Sequence, residues 1–406
     1  MTNFKGMLLS KKITYGIMLM SAVGLRFVII SSLLENQSSL NIIFNYSALL
    51  TSLWPYIMLG LTFVFSARLP VVLHDSDNSK IREKGLFLKL YKYVMLFVFV
   101  LFVVFCLYYF TTFDLQATWL LIFIANVGIS NNHLFTRSLD LSYSSIGYLL
   151  EIVVLSIVLG AYFLSPSLSI STYCVGLSVV VILQYILVYA LWPKSQSFDK
   201  VTSNYVKTLV KESSLRILYN LNVYFKDNFD LLLLSLLIII NPVYSIYYKY
   251  LFYSSIAKIL ISIYISTKSI EIGIKGPQEF WDPLFHKVYS KKTLFTLLLI
   301  LGASILLTWT ISFYSNDRLY WVVLIRIVGL SAGVPMMLYI SSIIQLETGS
   351  LTEVRGLLIP QILVLILLAG TVFLLSDQSY IYFILALTPL FVSSCQLYML
   401  RGLRKL

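Results

Sequence analysis

Runs of about 20 apolar residues recur from one end of the chain to the other, separated by short polar stretches. Each run is continuously apolar and lacks period-two alternation, so the elements read as helices and not as strands of a barrel. A helix rises about 1.5 Å per residue, and about 20 residues cross a hydrocarbon core of about 30 Å. The pattern predicts twelve such helices. The first six cover 13–34, 42–66, 92–111, 117–136, 144–164 and 170–192. The second six cover 214–240, 243–266, 293–314, 319–345, 356–375 and 379–400.

The polar stretches between them predict a topology. With the N-terminus in the cytoplasm, the inside segments hold 22 of the 30 Lys and Arg, whereas Arg318 alone falls in an outside loop. Under the positive-inside rule this places both termini in the cytoplasm. The two largest basic segments are spaced alike in the two halves. One, between the second and third helices, carries Arg68, Lys80, Arg82, Lys84 and Lys89, and the other, between the eighth and ninth, carries Lys268, Lys275, Lys287, Lys291 and Lys292. The polar stretch from Lys194 to Ser214 joins the halves. The expected organisation is therefore all-α and polytopic, an N-terminal bundle of six helices over 1–200 and a C-terminal one over 201–406. Such a parallel internal repeat is a common transporter plan.

Composition agrees and removes other classes. The chain has 406 residues, 59% of them hydrophobic and 12% charged, with a mean hydropathy of +0.86. Soluble domains carry about 25% charged residues. The net charge of +12 needs no nucleic acid, because basic loops face anionic lipid head groups. Cys106, Cys174 and Cys395 lie in apolar stretches and read as small buried hydrophobes. His74, His133 and His286 are far apart, near basic loops, so no metal site is expected, and no cofactor. The outside loops are short and carry at most one carboxylate each, such as Asp114, Asp317 or Asp377. No paired carboxylates, Ser/His/Asp set or phosphate-cradling glycine loop appears, which argues against an enzyme and for transport.

The informative residues are the charges inside the helices, each costing at least about 2.5–3.5 kcal/mol at the bilayer centre on insertion scales. They are Arg26, Arg216, Lys226, Lys249, Lys258 and Arg326 against Glu151, Asp227 and Asp230, an excess of three positive charges. On the seventh helix, Arg216, Asn220, Asn222, Lys226, Asp227 and Asp230 share an arc of about 160°, with Asn228 outside it. That stripe reads either as the lining of a polar lumen or as an internal Lys226–Asp230 salt bridge. Arg26 and Arg326 have no acidic residue within a turn and are expected to line a cavity instead of pairing locally. An arginine-rich cavity suits phosphate. Pro55, Gly333 with Pro335, Pro360 and Pro389 mark places where helices can bend. The tyrosines of Tyr247–Tyr253 and Tyr219 could stack on sugar rings.

Three segments carry a family resemblance: GLRFVIISSLL, with its internal arginine; FNYSALLTSLWPYIMLGL, followed by a basic loop; and LNVYFKDNFDLLLLSLLIIINPVYSIYYKYLFYSSIAKIL, where the second half restarts. With them the chain resembles a Wzx-type polysaccharide flippase of the multidrug/oligosaccharidyl-lipid/polysaccharide exporter superfamily, over essentially its whole length. The resemblance implies two six-helix bundles around a central cavity that opens alternately to either side of the bacterial inner membrane. It implies an undecaprenyl-diphosphate-linked oligosaccharide as cargo for surface polysaccharide (O-antigen) assembly. A polysaccharide polymerase and a chain-length regulator would be partners. In that picture Arg26, Lys226, Lys249 and Arg326 bind the diphosphate or acidic sugars. Asp227, Asp230 and Glu151 are the candidates for coupling to H+ or Na+, with Asn220 and Asn222 as polar lining. A multidrug antiporter would prefer an acidic lumen, and a polysaccharide polymerase would need a long outside loop. A transporter of some other solute is the remaining alternative.

Overall fold

Where the apolar runs stop, short polar side chains and chain breakers set the helix ends. Asp114 accepts the Ala117 N–H at 2.5 Å, and Asp140 accepts the Ser142 N–H at 2.7 Å. Each satisfies one of the donors that the first turn of a helix leaves without a partner. Asn241 does the same for Val243 at 3.1 Å, with Pro242 starting the turn that follows. In the computed structural model these ends bound α1 (Thr2–Asn36), α2 (Leu40–Ile57), α3 (Leu61–His74), α4 (Ile81–Thr112), α5 (Leu115–Leu139), α6 (Leu141–Leu164), α7 (Ile170–Leu191) and α8 (Ser203–Ile240). A 3-10 turn over Pro242–Ile246 leads into a helical segment at 247–255. Then come α9 (Tyr320–Ala332), α10 (Leu351–Leu374) and α11 (Gln378–Leu403). The structure describes residues 2–36, 39–58, 60–74, 81–164, 170–192, 203–255, 320–333, 351–375 and 377–403, with a few single positions between 257 and 306. The expected helix at 293–314 and the basic segment at 267–292 lie outside the described residues, apart from those few positions.

Two expectations change. The single helix over 42–66 is two helices: Pro55 interrupts the bond ladder, and Gly60, at φ 72°, turns the chain while its N–H reaches the Pro55 carbonyl at 2.9 Å. Much of the basic segment at 67–91 is helical, because α3 runs on to His74 and α4 begins at Ile81. Basic side chains favour water, not loops, and a helix can carry them past the end of its apolar stretch.

The chain divides into two units, Met1–Ser213 and Ser214–Leu406. In the first, α5 packs against α2, α3, α4, α6 and α7, and α1 lies along α6. This central position explains why α5 tolerates Asn126, Asn131, Asn132 and His133 in its second half: its neighbours shield it from the surroundings. At one end of the unit, Phe65, Phe87, Tyr91, Phe135 and Val188 pack together, and Leu209 at the start of α8 joins them. Phe135 stacks on Trp192 at 4.7 Å, and Tyr91 donates to the Asn131 carbonyl at 2.9 Å. In the second unit, α9 and α10 both pack on α11. Gly329 of α9 meets Pro389–Leu390 of α11 so closely that a Cβ would come within 2.5 Å of the Leu390 nitrogen. Ser393 seals the contact by donating to the Gly329 carbonyl at 2.9 Å.

Large apolar side chains also cover outward faces of the described helices. On α7, Val175, Val179, Ile182, Ile186 and Tyr189 are exposed at alternating spacings of four and three, while Cys174, Leu177, Val181 and Val188 face inward. On α4, Leu96, Val100, Val103 and Leu107 form a matching outer stripe. Large apolar faces of this kind are solvated by lipid, not by water. Four helical stretches are long and apolar enough to cross a membrane: Ile13–Glu35, Lys84–Thr112, Leu141–Leu164 and Ile170–Leu191. The molecule is an all-helical protein of the multi-pass membrane type.

Candidate functional site

In the first unit the polar residues of three helices meet. On α5, Asn126, Ser130, His133 and Arg137 are spaced by four, three and four residues and therefore share one face. On α1, Tyr15, Leu19, Val23 and Arg26 form a second row, and on α6 Tyr148 and Glu151 form a third. Apart from Asn126, which bonds to Arg26, these residues line a cavity of about 310 Å³, completed by Ile129 and Leu134.

Ion pairing organises the wall. Arg26 donates through Nε to Glu151 Oε1, and through Nη1 to Asn126 Oδ1 at 3.1 Å. The other carboxylate oxygen, Oε2, lies 3.4 Å from His133 Nε2. Gln184 of α7 places its amide nitrogen 3.1 Å from that same ring nitrogen and donates to the Gly147 carbonyl at 3.3 Å. Tyr148 stacks under the imidazole at 3.7 Å. Gly147 makes room for the ring, since a Cβ there would approach His133 Cε1 to 3.3 Å. Glu151 is 2% exposed, whereas the Arg26 side chain keeps 22% of its surface. An ionised carboxylate survives such burial only with close partners, and here it has two. Two arginines and a histidine thus face one carboxylate. At the end of this face, Lys11 bonds Asp140 at 2.7 Å and ties α1 to the α5–α6 turn.

The second unit holds a denser ion pair. Arg326 of α9 donates through Nε to Asp230 Oδ2 at 2.5 Å and through Nη2 to Oδ1 at 3.3 Å, a bidentate geometry. Its Nη1 donates to Ser254, and its Nη2 also reaches the Asp227 carbonyl at 3.1 Å. Arg326 is 4% exposed and Asp230 is fully buried. Beside them, Tyr247 stacks on Tyr382 at 5.2 Å.

Arg26 with Glu151, and Arg326 with Asp230 and Asp227, are thus brought together, in separate units. Arg326 was expected to face a cavity; it is instead enclosed by protein groups. Arg26 does line a cavity, but with a carboxylate partner 125 residues away. Asp230 gives both oxygens to Arg326, and Asn228, the residue off the polar stripe, accepts from Lys258 at 2.6 Å. Lys249 lies over the Tyr253 ring at 5.8 Å, and Asn220 is half-buried. The side chains of Lys226, Asn222 and Arg216 lie outside the described residues. From sequence, His133 reads only as one of three scattered histidines, and Asn126 and Gln184 carry no role, although the α5 spacing carries the signal for the first two. Among the described residues, no three His, Cys, Asp or Glu side chains converge as metal ligands would. Comparison with protein-family models, curated proteins and solved structures gives no match.

Proposed function

We propose that the chain is a flippase that carries an undecaprenyl-diphosphate-linked oligosaccharide from the inner to the outer leaflet of the bacterial inner membrane by alternating access. The observation that carries the reading is the cation-rich wall of the first-unit cavity, with the guanidinium groups of Arg26 and Arg137 against the single carboxylate Glu151. A phosphate head group cannot cross hydrocarbon unaided, and guanidinium groups are its natural partners in a shielded site. A carrier of cationic drugs would show the opposite balance. The sequence resemblance supplies the lipid-linked sugar, which is larger than the cavity, so only the head group would enter it. Both termini lie in the cytoplasm in this reading, and the chain works without a cofactor and performs no covalent chemistry.

The test uses purified protein in vesicles loaded with lipid-linked oligosaccharide on one leaflet. Sugar that becomes sensitive to external periodate reports translocation. Wild-type protein should speed this well above protein-free vesicles, and Arg26→Gln should bring it close to that background. A wild-type rate equal to protein-free vesicles would end the proposal.

A further inference from the structure

Glu151 offers its two oxygens to two different bases. Oε1 is held by Arg26, while Oε2 faces His133 Nε2 across 3.4 Å. The amide nitrogen of Gln184 lies 3.1 Å from that ring nitrogen. His133 Nε2 thus sits between the Glu151 carboxylate and the Gln184 amide, within reach of both. A neutral imidazole and an ionised carboxylate that share a contact can together accept one more proton. On the cavity wall, Nε and Nη1 of Arg26 are taken by Glu151 and Asn126, and Nη2 has no acceptor among the described residues.

We propose that Glu151 and His133 form a proton-binding site linked to anion binding at Arg26. A tetrahedral oxyanion of the phosphate class that enters the cavity draws Arg26 away from Glu151, and the freed carboxylate attracts one proton from solvent onto the Glu151–His133 pair. The Arg26–Glu151 hydrogen bond is exchanged for Arg26–oxyanion bonds, and the added proton is held between His133 and Glu151. The proton offsets one of the anion's negative charges, so less charge is buried without a partner. Around His133 stand Arg26 and Tyr15 from α1, Arg137 from its own helix, and Tyr148 and Glu151 from α6. From α7 come Gln184 and, on the Arg26 side, Tyr173. Arginine stays charged and tyrosine neutral between about pH 5 and 8, which leaves the Glu151–His133 pair to take up the proton. Linkage makes the effect reciprocal: the anion binds more tightly as pH falls, and the proton binds more tightly when the anion is present. The inference takes only the origin of the anion from the flippase reading.

The experiment is calorimetric titration of the full chain in lipid nanodiscs with inorganic sulfate, a tetrahedral anion that does not titrate near neutrality. A parallel titration uses a prenyl sulfate in the same membrane. Repeating each in buffers of different ionisation enthalpy counts the protons taken up. Wild-type protein should take up protons with the anion and bind it about tenfold more tightly at pH 5.5 than at pH 7.5. His133→Gln should show the weak high-pH affinity throughout, with no uptake. Binding without proton uptake, uptake unchanged in His133→Gln, or no binding of either probe would overturn the site. If His133→Gln does not fold, wild-type proton uptake and its loss in Glu151→Gln decide the matter. Tighter binding of the prenyl form assigns the anion to a lipid head group, and equal binding assigns it to a free anion. Uptake with sulfate but no translocation of lipid-linked sugar would keep this site and remove the flippase. Translocation without uptake would do the reverse.

Discussion

Arg326 shows how a single side chain changes meaning once its partner is known. From sequence it is a lone intramembrane cation, and Arg326→Gln is expected to reduce export while leaving the fold intact. Next to Asp230, with three of its nitrogens engaged, it holds α9 against α8. Removing one member of a buried pair strands the other and costs about 3–5 kcal/mol. Arg326→Gln should therefore lower the thermal midpoint sharply or abolish folded protein in detergent. An unchanged midpoint would show that the pair contributes nothing to the fold. Asp140 makes a smaller case outside the apolar stretches. The bond from Lys11, and then the Ser142 N–H, hold its carboxyl below the usual carboxylate range. A lowered value stabilises the fold above the ordinary aspartate pKa, and this is lost as pH falls through the folded-state value. Both partners are about one-third exposed, so the effect is at most about 1 kcal/mol. Comparing Asp140→Asn with wild type at pH 7 and at about pH 3.5 should show a small loss at the higher pH that shrinks at the lower.

Among the elements, the contact between α9 and α11 has the least tolerance. Gly329 lets the two backbones touch beside Pro389, which has already removed one bond from α11. A larger residue cannot be absorbed by a side-chain rotation, because its neighbour is backbone. Gly329→Val should cost about 1–3 kcal/mol, read as a lower midpoint, whereas Gly302→Val, where a Cβ meets nothing within 4 Å, should leave the midpoint unchanged. Equal effects at both positions would refute the close packing. The α2–α3 break was half legible in sequence: Pro55 announced a bend, but only the positive φ at Gly60 turned it into two helices. The α5 face was legible in the spacing of Asn126, Ser130, His133 and Arg137, but that spacing does not say which helices meet it.

For the molecule as a whole, the proposed topology puts all the large basic segments on one side. Single cysteines placed at positions 84 and 287, in a chain whose three native cysteines are replaced, should resist a membrane-impermeant thiol reagent in intact cells. They should react once the membrane is opened. Labelling of position 84 from outside would reverse the orientation and, with it, the direction assigned to transport.

The apolar runs were enough to establish an all-helical membrane chain and most of the described helix positions. Those signals are local: insertion into lipid depends on the hydrophobicity of about 20 consecutive residues, and the positive-inside bias on charges beside them. The charges within the apolar helices were also plain, because residue type and local hydropathy are enough to locate them. What sequence could not contain was who faces whom. Arg26 and Glu151 are 125 residues apart, and Arg326 and Asp230 are 96 apart. No periodicity links residues on helices that meet only after packing. Which surroundings a buried arginine finds depends on that meeting, and only the tertiary structure decided it: Arg26 opens onto a cavity, and Arg326 is enclosed.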